Sequence, residues 1–281
     1  MGNGMRKGAA RTASGQVKRA FHLLGLGVVR SERLAHLLQV ERSFSKLLPL
    51  FASLADLEVA EREEGYAFSR FCIEHHEASR AQAFQDLFAL AQSQGKRNGY
   101  FVEFGAADGV ALSNTWLLER EYGWNGIVAE PARTWHRALR ANRKCVIDES
   151  CIWSRSGEEL LFNEVGELST VDSLSSSDSH REAREKGRRY PVGTLSLNDL
   201  LDKHSAPRAI DYLSVDTEGS EFEILGAFDF GRYDIRVITV EHNHTPQRER
   251  LHSLLASKGF RRKFRAISRF DDWYVKADGT R

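Results

Sequence analysis

"YFVEFGAADGVALSNTW", residues 100–116, is the stretch on which the reading of this chain turns. A short run of strand-forming residues, Tyr100 to Phe104, carries Glu103 near its end and passes directly into a turn made of Gly105, Ala106, Ala107, Asp108 and Gly109. In open parallel sheets ligands bind beyond the carboxyl ends of the strands, where a glycine turn lets backbone amides come close. The spacing lacks the GxGxxG that cradles a dinucleotide pyrophosphate, which disfavours a nucleotide-dependent oxidoreductase. An acid at the strand end, with Asp108 beside it, suits a ligand that carries positive charge near the turn, such as an amino group or a sulfonium.

Outward from this stretch the texture is regular. The apolar runs YFVEF, GIVAE, KCVI, DYLSV and VITVE are separated by helical stretches, which predicts a parallel sheet with helices on both faces. FRRKFRA and DDWYVKA, near the C-terminus, are close enough to pair as an antiparallel hairpin at one sheet edge. Between them and the last parallel strand, Thr245-Pro246 starts a helix and Gly259 ends it. Upstream, residues 16–94 read as helical, most clearly from Tyr66 to Gln94, where Phe68, Phe71, Cys72, Phe84, Leu87 and Phe88 recur at helical spacing. The Ser-rich, charged stretch 169–191 reads as a mobile insertion or lid. The chain is accordingly divided into a basic flexible tail (1–15), a helical region (16–95) and an α/β domain (96–281).

Composition limits the partners. With 281 residues, 41% of them hydrophobic, the chain builds one substantial core. Forty Lys+Arg against 39 Asp+Glu leave a formal charge of +1, so no global field draws it to nucleic acid. Cys72, Cys145 and Cys151 form an odd set without CxxC spacing, which predicts free thiols and a cytoplasmic location. No apolar run approaches a membrane span. Arg6, Lys7, Arg11, Lys18, Arg19 and Arg30 flank the apolar stretch FHLLGLGVV, but His22 inside it and Arg30 after it argue against a signal peptide. The expectation is a basic tail leading into an amphipathic helix, with weak contact to a membrane surface.

The chemistry concentrates at strand ends. Glu130 closes GIVAE about twenty residues beyond the glycine turn, where an acid accepts hydrogen bonds from ribose hydroxyls. A ribose and a positive charge together describe S-adenosylmethionine. In DYLSVDTEGSEFEIL, residues 211–225, Asp216 ends a strand, Glu218 follows two residues on, and Gly219 lets the chain turn. VITVEHN delivers Glu241, His242 and Asn243 to the same rim.

FVEFGAADG, GIVAEP, DYLSVDTEGSEFEIL and ITVEHN, with QDLF at 85–88 as a weaker landmark, resemble the FkbM family of S-adenosylmethionine-dependent methyltransferases over roughly residues 79–276. The resemblance implies a class I, Rossmann-like fold with a mostly parallel seven-stranded sheet, a C-terminal antiparallel hairpin and preceding helices. It implies methyl transfer to a hydroxyl of a sugar, glycan or secondary-metabolite acceptor. It places Glu103, Gly105 and Asp108 at the methionine end of the cofactor, Glu130 at the ribose, and Asp148 or Glu149 beside the adenine, with Ala106, Gly109 and Asp216 also among the cofactor-binding residues. Asp216, Glu218 and His242 then face the acceptor. Ser214 departs from the family pattern, in which many members carry lysine.

An alcohol does not ionise at pH 7, so attack on the methyl group requires a base or a metal at the oxygen. His242 is the expected base because imidazole titrates near neutrality. Asp216 with Glu241 or His242 offers instead a site for Mg²⁺ or Mn²⁺; both routes stay open. A non-catalytic scaffold on a degenerate methyltransferase fold is the alternative function. Adjacent His75 and His76 in IEHHEA point to different faces of a helix and do not suggest a metal site, and the alternation in KGFRRKFRAISR reads as a solvated edge strand. Arg181, Arg184, Lys186, Arg188 and Arg189, in the expected lid, suggest an anionic acceptor.

Overall fold

The structure, a computed structural model, describes residues 31–277, so the expectations for the basic N-terminal tail fall outside the described residues. The chain divides into two compact units, Met1–Ser45 and Lys46–Arg281. Of the first, the described part is the start of helix α1 (Ser31–Ser53), and all that follows concerns the second.

Its centre is a seven-stranded sheet. Five strands run parallel: β1 (Tyr100–Phe104), β2 (Asn125–Ala129), β3 (Val146–Asp148), β8 (Ala209–Val215) and β9 (Asp234–Glu241). The hairpin β10 (Phe260–Lys263) and β11 (Asp271–Lys276) adds two antiparallel strands at the β9 edge, in the order β10-β11-β9-β8-β1-β2-β3. This is the mostly parallel seven-stranded sheet with a C-terminal antiparallel hairpin that the resemblance implies.

Strand alternation divides the core into two layers. Phe101, Val128, Tyr212, Val237 and Trp273 face one side, under helices α2 (Arg62–His75), α3 (Gln85–Gln92), α4 (Trp116–Tyr122) and α5 (His136–Asn142). Val102, Phe104, Ile127, Leu213, Val215, Ile238 and Val240 face the other, under α7 (Leu197–Lys203), α8 (Glu221–Ala227) and α9 (Gln247–Ser257). Burial on both faces is why these strands read as nearly continuous apolar runs.

Three features depart from the sequence reading. The helical stripe from Tyr66 to Gln94 is broken into α2 and α3, because Asp86 accepts hydrogen bonds from Ser79 Oγ (2.7 Å) and Arg80 N (2.9 Å) and fixes a loop in which Phe84 is left-handed (φ 68°). Residues 46–95 also share one compact unit with the sheet: Phe68 and Phe88 stack on Phe264 and Trp273, at 5.4 and 4.7 Å between ring centroids. Finally, the stretch expected to be a mobile lid is built into a second, four-stranded sheet of β4 (Cys151–Trp153), β5 (Glu159–Glu164), β6 (Thr170–Val171) and β7 (Arg188–Ser196). Phe162, Val171, Tyr190 and Val192 give it a small core of its own.

Candidate active site

The glycine turn lies at the carboxyl end of β1, between β2 and β8. Gly105 is left-handed (φ 74°), and a Cβ there would stand 1.9 Å from the carbonyl oxygen of Asp216. Only glycine lets the turn and the end of β8 approach so closely. The turn is clamped from beneath by Glu103, whose buried carboxylate accepts from Asn114 N (2.6 Å), Thr115 Oγ1 (2.5 Å), both oxygens from Ser113 Oγ, and Arg143 (3.2 Å). Arg143 is sealed from solvent and also binds Glu119 (2.5 Å) and the carbonyl of Gly109 (3.3 Å). Asp108 folds back on its own loop, accepting from Val110 N and Ala111 N at 2.8 Å each.

Above the turn opens a cavity of about 350 Å³. At one end the buried Glu130 accepts from Ala107 N and Ala132 N, both at 2.8 Å, and burial pushes its carboxyl up to about 7 against those bonds. Trp135, Ile152, Phe162 and Leu168 make an apolar wall beside it, partly from the second sheet. At the other end Asp216, Glu218 and Glu241 bring carboxylate oxygens within 4.8 Å of one another. Burial and the neighbouring carboxylates hold Asp216 and Glu241 well above the usual range. Burial raises Glu218 to about 7, although Arg184 donates to it at 2.7 Å. Glu241 Oε2 is buried without a hydrogen-bond partner among the described residues. Backbone strain gathers on the same rim, with φ of 59° at Glu218 and 44° at Asn243.

Arg184, from α6 (Arg181–Arg184), ties the second sheet to this rim. It is fully buried, pairs with Asp178 (2.8 Å) as well as Glu218, and donates to the Leu168 carbonyl (2.8 Å). Arg188 pairs with Glu164, and Arg189 with Asp172. Three of the basic side chains suggested for an anionic acceptor are therefore engaged within the chain.

His242 stands directly after Glu241, the last residue of β9, and its side chain leaves on the opposite face. It lines an adjoining cavity of about 250 Å³ beneath α9, with Glu221, Gln247 and Leu251, and Glu241 and Asn243 border both cavities. Its Nδ1 accepts from His244 N (2.9 Å), and burial pushes the imidazole down to about 4. Among the described residues the carboxylates that gather into one group are Asp216, Glu218 and Glu241; of the set Asp216, Glu241 and His242 expected for a metal, that group contains the two acids and not His242.

The family model for the methyltransferase FkbM domain matches residues 103–264, more than half of the chain. This chain belongs to the FkbM methyltransferase family. The matched span runs from the clamp carboxylate Glu103 to Phe264 and so contains both ends of the cavity. No curated protein matches the sequence of this FkbM methyltransferase. Among solved structures, it resembles a precorrin-6y C5,15-methyltransferase from Geobacter metallireducens GS-15 at 13% identity and a TM-score of 0.35, over 63% of this chain and 71% of that one. It resembles a chain of a fibrillarin/Nop5p complex at 12% identity and a TM-score of 0.35, over 70% and 81%.

Of the residues the sequence singled out in this FkbM domain, Gly105, Glu130, Asp216, Glu218 and Glu241 line the main cavity, and Glu103, Ala106, Asp108, Gly109 and His242 do not. Asp148 and Glu149 are also off its wall. Asp148 is held well below the usual carboxylate range, where the Lys203 and His204 bonds (2.8 and 2.7 Å) outweigh its burial, and Glu149 pairs with Arg140 and His136. Trp135, Phe162, Leu168, Asn114 and Arg269 reach the cavity without having been recognised in the sequence. Three of them had a nearby signal: Asn114 lies within the opening stretch, Trp135 five residues beyond Glu130, and Arg269 at the end of KGFRRKFRAISR.

Proposed function

We propose that the chain is an S-adenosylmethionine-dependent O-methyltransferase acting on a hydroxyl of a sugar, glycan or secondary metabolite. The observation that carries this reading is one cavity that joins a strand-end acid over a glycine floor to a rim of three carboxylates, one with a buried, unpartnered oxygen. In this reading Glu130 accepts the ribose hydroxyls, the wall of Trp135, Ile152 and Phe162 covers the adenine, and the Gly105 floor lets the backbone approach. Bound S-adenosylmethionine supplies an already activated methyl group. The chain's own task is then to orient the acceptor oxygen and take its proton. The rim carboxylates suit that task because burial raises their proton affinity, that of Glu218 to about 7. The acid-lined end favours a neutral polyhydroxyl acceptor over an anion. Asp216, Glu218 and Glu241 also offer the hard oxygen donors that Mg²⁺ or Mn²⁺ prefers, and such an ion would acidify the acceptor hydroxyl.

The test is transfer of labelled methyl from S-adenosylmethionine to a panel of sugars and hydroxylated metabolites, with and without EDTA. Label on a hydroxyl, lost in Glu241→Gln by about a hundredfold, supports the reading. No binding of S-adenosylmethionine by calorimetry would sink it and favour the scaffold alternative.

A further inference from the structure

We infer that Asn114 and Arg269 form the subsite for the amino-acid end of the cofactor, Asn114 taking the ammonium and Arg269 the carboxylate; this rests on the S-adenosylmethionine reading above. That end of the ligand is a zwitterion, so its site must offer both an acceptor and a cation. Asn114 is 5% exposed and lines the cavity. Its Nδ2 donates to Ser214 Oγ (2.9 Å), which leaves Oδ1 buried and unpartnered among the described residues. A buried acceptor left unpaired is costly, so a donor from the ligand is the natural partner. Ser214, the residue that departs from the family pattern, thus sets which way the Asn114 amide faces.

The cationic half is singled out by charge. Glu130, Glu167, Asp216, Glu218 and Glu241 make the cavity acidic, and Arg269 is the one arginine or lysine on its wall among the described residues. The guanidinium lies over the Phe270 ring at 5.3 Å, and no acid pairs with it among the described residues. An arginine free of carboxylates in an acidic cavity matches a carboxylate brought by the ligand, which it can bind in bidentate fashion. Its loop is pinned: Arg269 is left-handed (φ 61°), and the Phe270 carbonyl accepts from His242 N (2.9 Å) and Asn243 N (3.2 Å). The two halves meet at the segment before α3. There Ala81 bridges to Leu112 in the Asn114 loop, and Gln85 donates to Asp271, two residues beyond Arg269 (2.7 Å).

Calorimetry with three probes tests this: S-adenosylhomocysteine, its decarboxylated analogue S-adenosyl-3-thiopropylamine, and 5′-methylthioadenosine, which lacks the whole amino-acid end. Arg269→Met should weaken S-adenosylhomocysteine by about tenfold or more, with part restored in Arg269→Lys, and leave the other two unchanged. Asn114→Leu should weaken both amine-bearing probes and spare 5′-methylthioadenosine. The exposed position of Arg269 keeps that arm independent of folding, checked by thermal melting. Undiminished S-adenosylhomocysteine affinity in Arg269→Met, as expected if the arginine serves an anionic acceptor, overturns the assignment, and so does an equal loss for all three probes. If the unaltered protein binds none of the three, the cofactor reading itself falls and the subsite with it; if it binds them and the variants fail to discriminate, the subsite alone falls.

Discussion

Glu103 and Glu130 are the same residue type near the ends of adjacent strands, and their surroundings give them opposite fates. Glu103 is surrounded by donors, including the buried Arg143, and stabilises the turn from below. Glu130 faces the cavity with two amides as its donors and holds its proton up to about 7. Under the proposed function ribose hydroxyls donate to the ionised form, so binding is coupled to loss of that proton. The affinity for S-adenosylhomocysteine should fall as pH drops from 8 to 6, with the midpoint near 7. Glu130→Gln should bind roughly tenfold or more weakly, one charge-assisted hydrogen bond being worth about 1.5–3 kcal/mol, and its affinity should not vary over that range. A wild-type affinity independent of pH would remove Glu130 from the ligand's contacts.

Among the elements, the second sheet is the least expected. A segment rich in serine and charge has little apolar surface to bury and reads as disordered. It orders because its few apolar residues meet Cys151 and Ala132, and because Arg184 threads between Asp178 and Glu218. Removing one partner of a buried ion network leaves the others uncompensated, at a cost of about 3–5 kcal/mol. Arg184→Leu should therefore destabilise the second sheet, and amide exchange over residues 166–184 should accelerate while β1 and β8 keep their protection. In the unaltered, ligand-free protein the same residues should already exchange slowly. Fast exchange there would restore the mobile lid that the composition suggested.

At the scale of the whole molecule the carboxylates at the carboxyl end of the sheet act together. Burial pushes Glu130, Glu218 and Asp271 up to about 7, and Asp216, Glu221 and Glu241 also lie above their ordinary values. Between pH 4.5 and 7 the folded state holds protons that the unfolded chain has released, so stability is lost as pH rises through that window. Asp148 and Glu119 work in the other direction only below the ordinary carboxylate range, and His242, held down to about 4, offsets part of the effect as pH rises through its ordinary value of 6.5. Without ligand, the melting temperature should be lower at pH 8 than at pH 6 by several degrees. Mg²⁺ or Mn²⁺ should raise it more at pH 8, where the rim is ionised. A melting temperature that climbs from pH 6 to 8 would show that the cluster is compensated in some other way.

Local pattern was sufficient for the sheet and the positions of its strand-end acids, because a strand buried on both faces must be apolar along its length and a turn at which any Cβ would stand 1.9 Å from a carbonyl oxygen must be glycine. FVEFGAADG, GIVAE and VITVE therefore stated their structure directly. The same pattern could not say which acids face a ligand. Glu103 and Asp108 find their donors in residues up to 40 positions away or within their own loop, and His242 is turned from the rim by the single step beyond the end of β9. Nor could it show that Asn114, Trp135, Phe162 and Arg269 share a wall with Glu130, since they come from four separate segments that only the folded sheet brings together. The sequence determined which chemistry collects at the strand ends; long-range packing decided which of those groups stay free to use it.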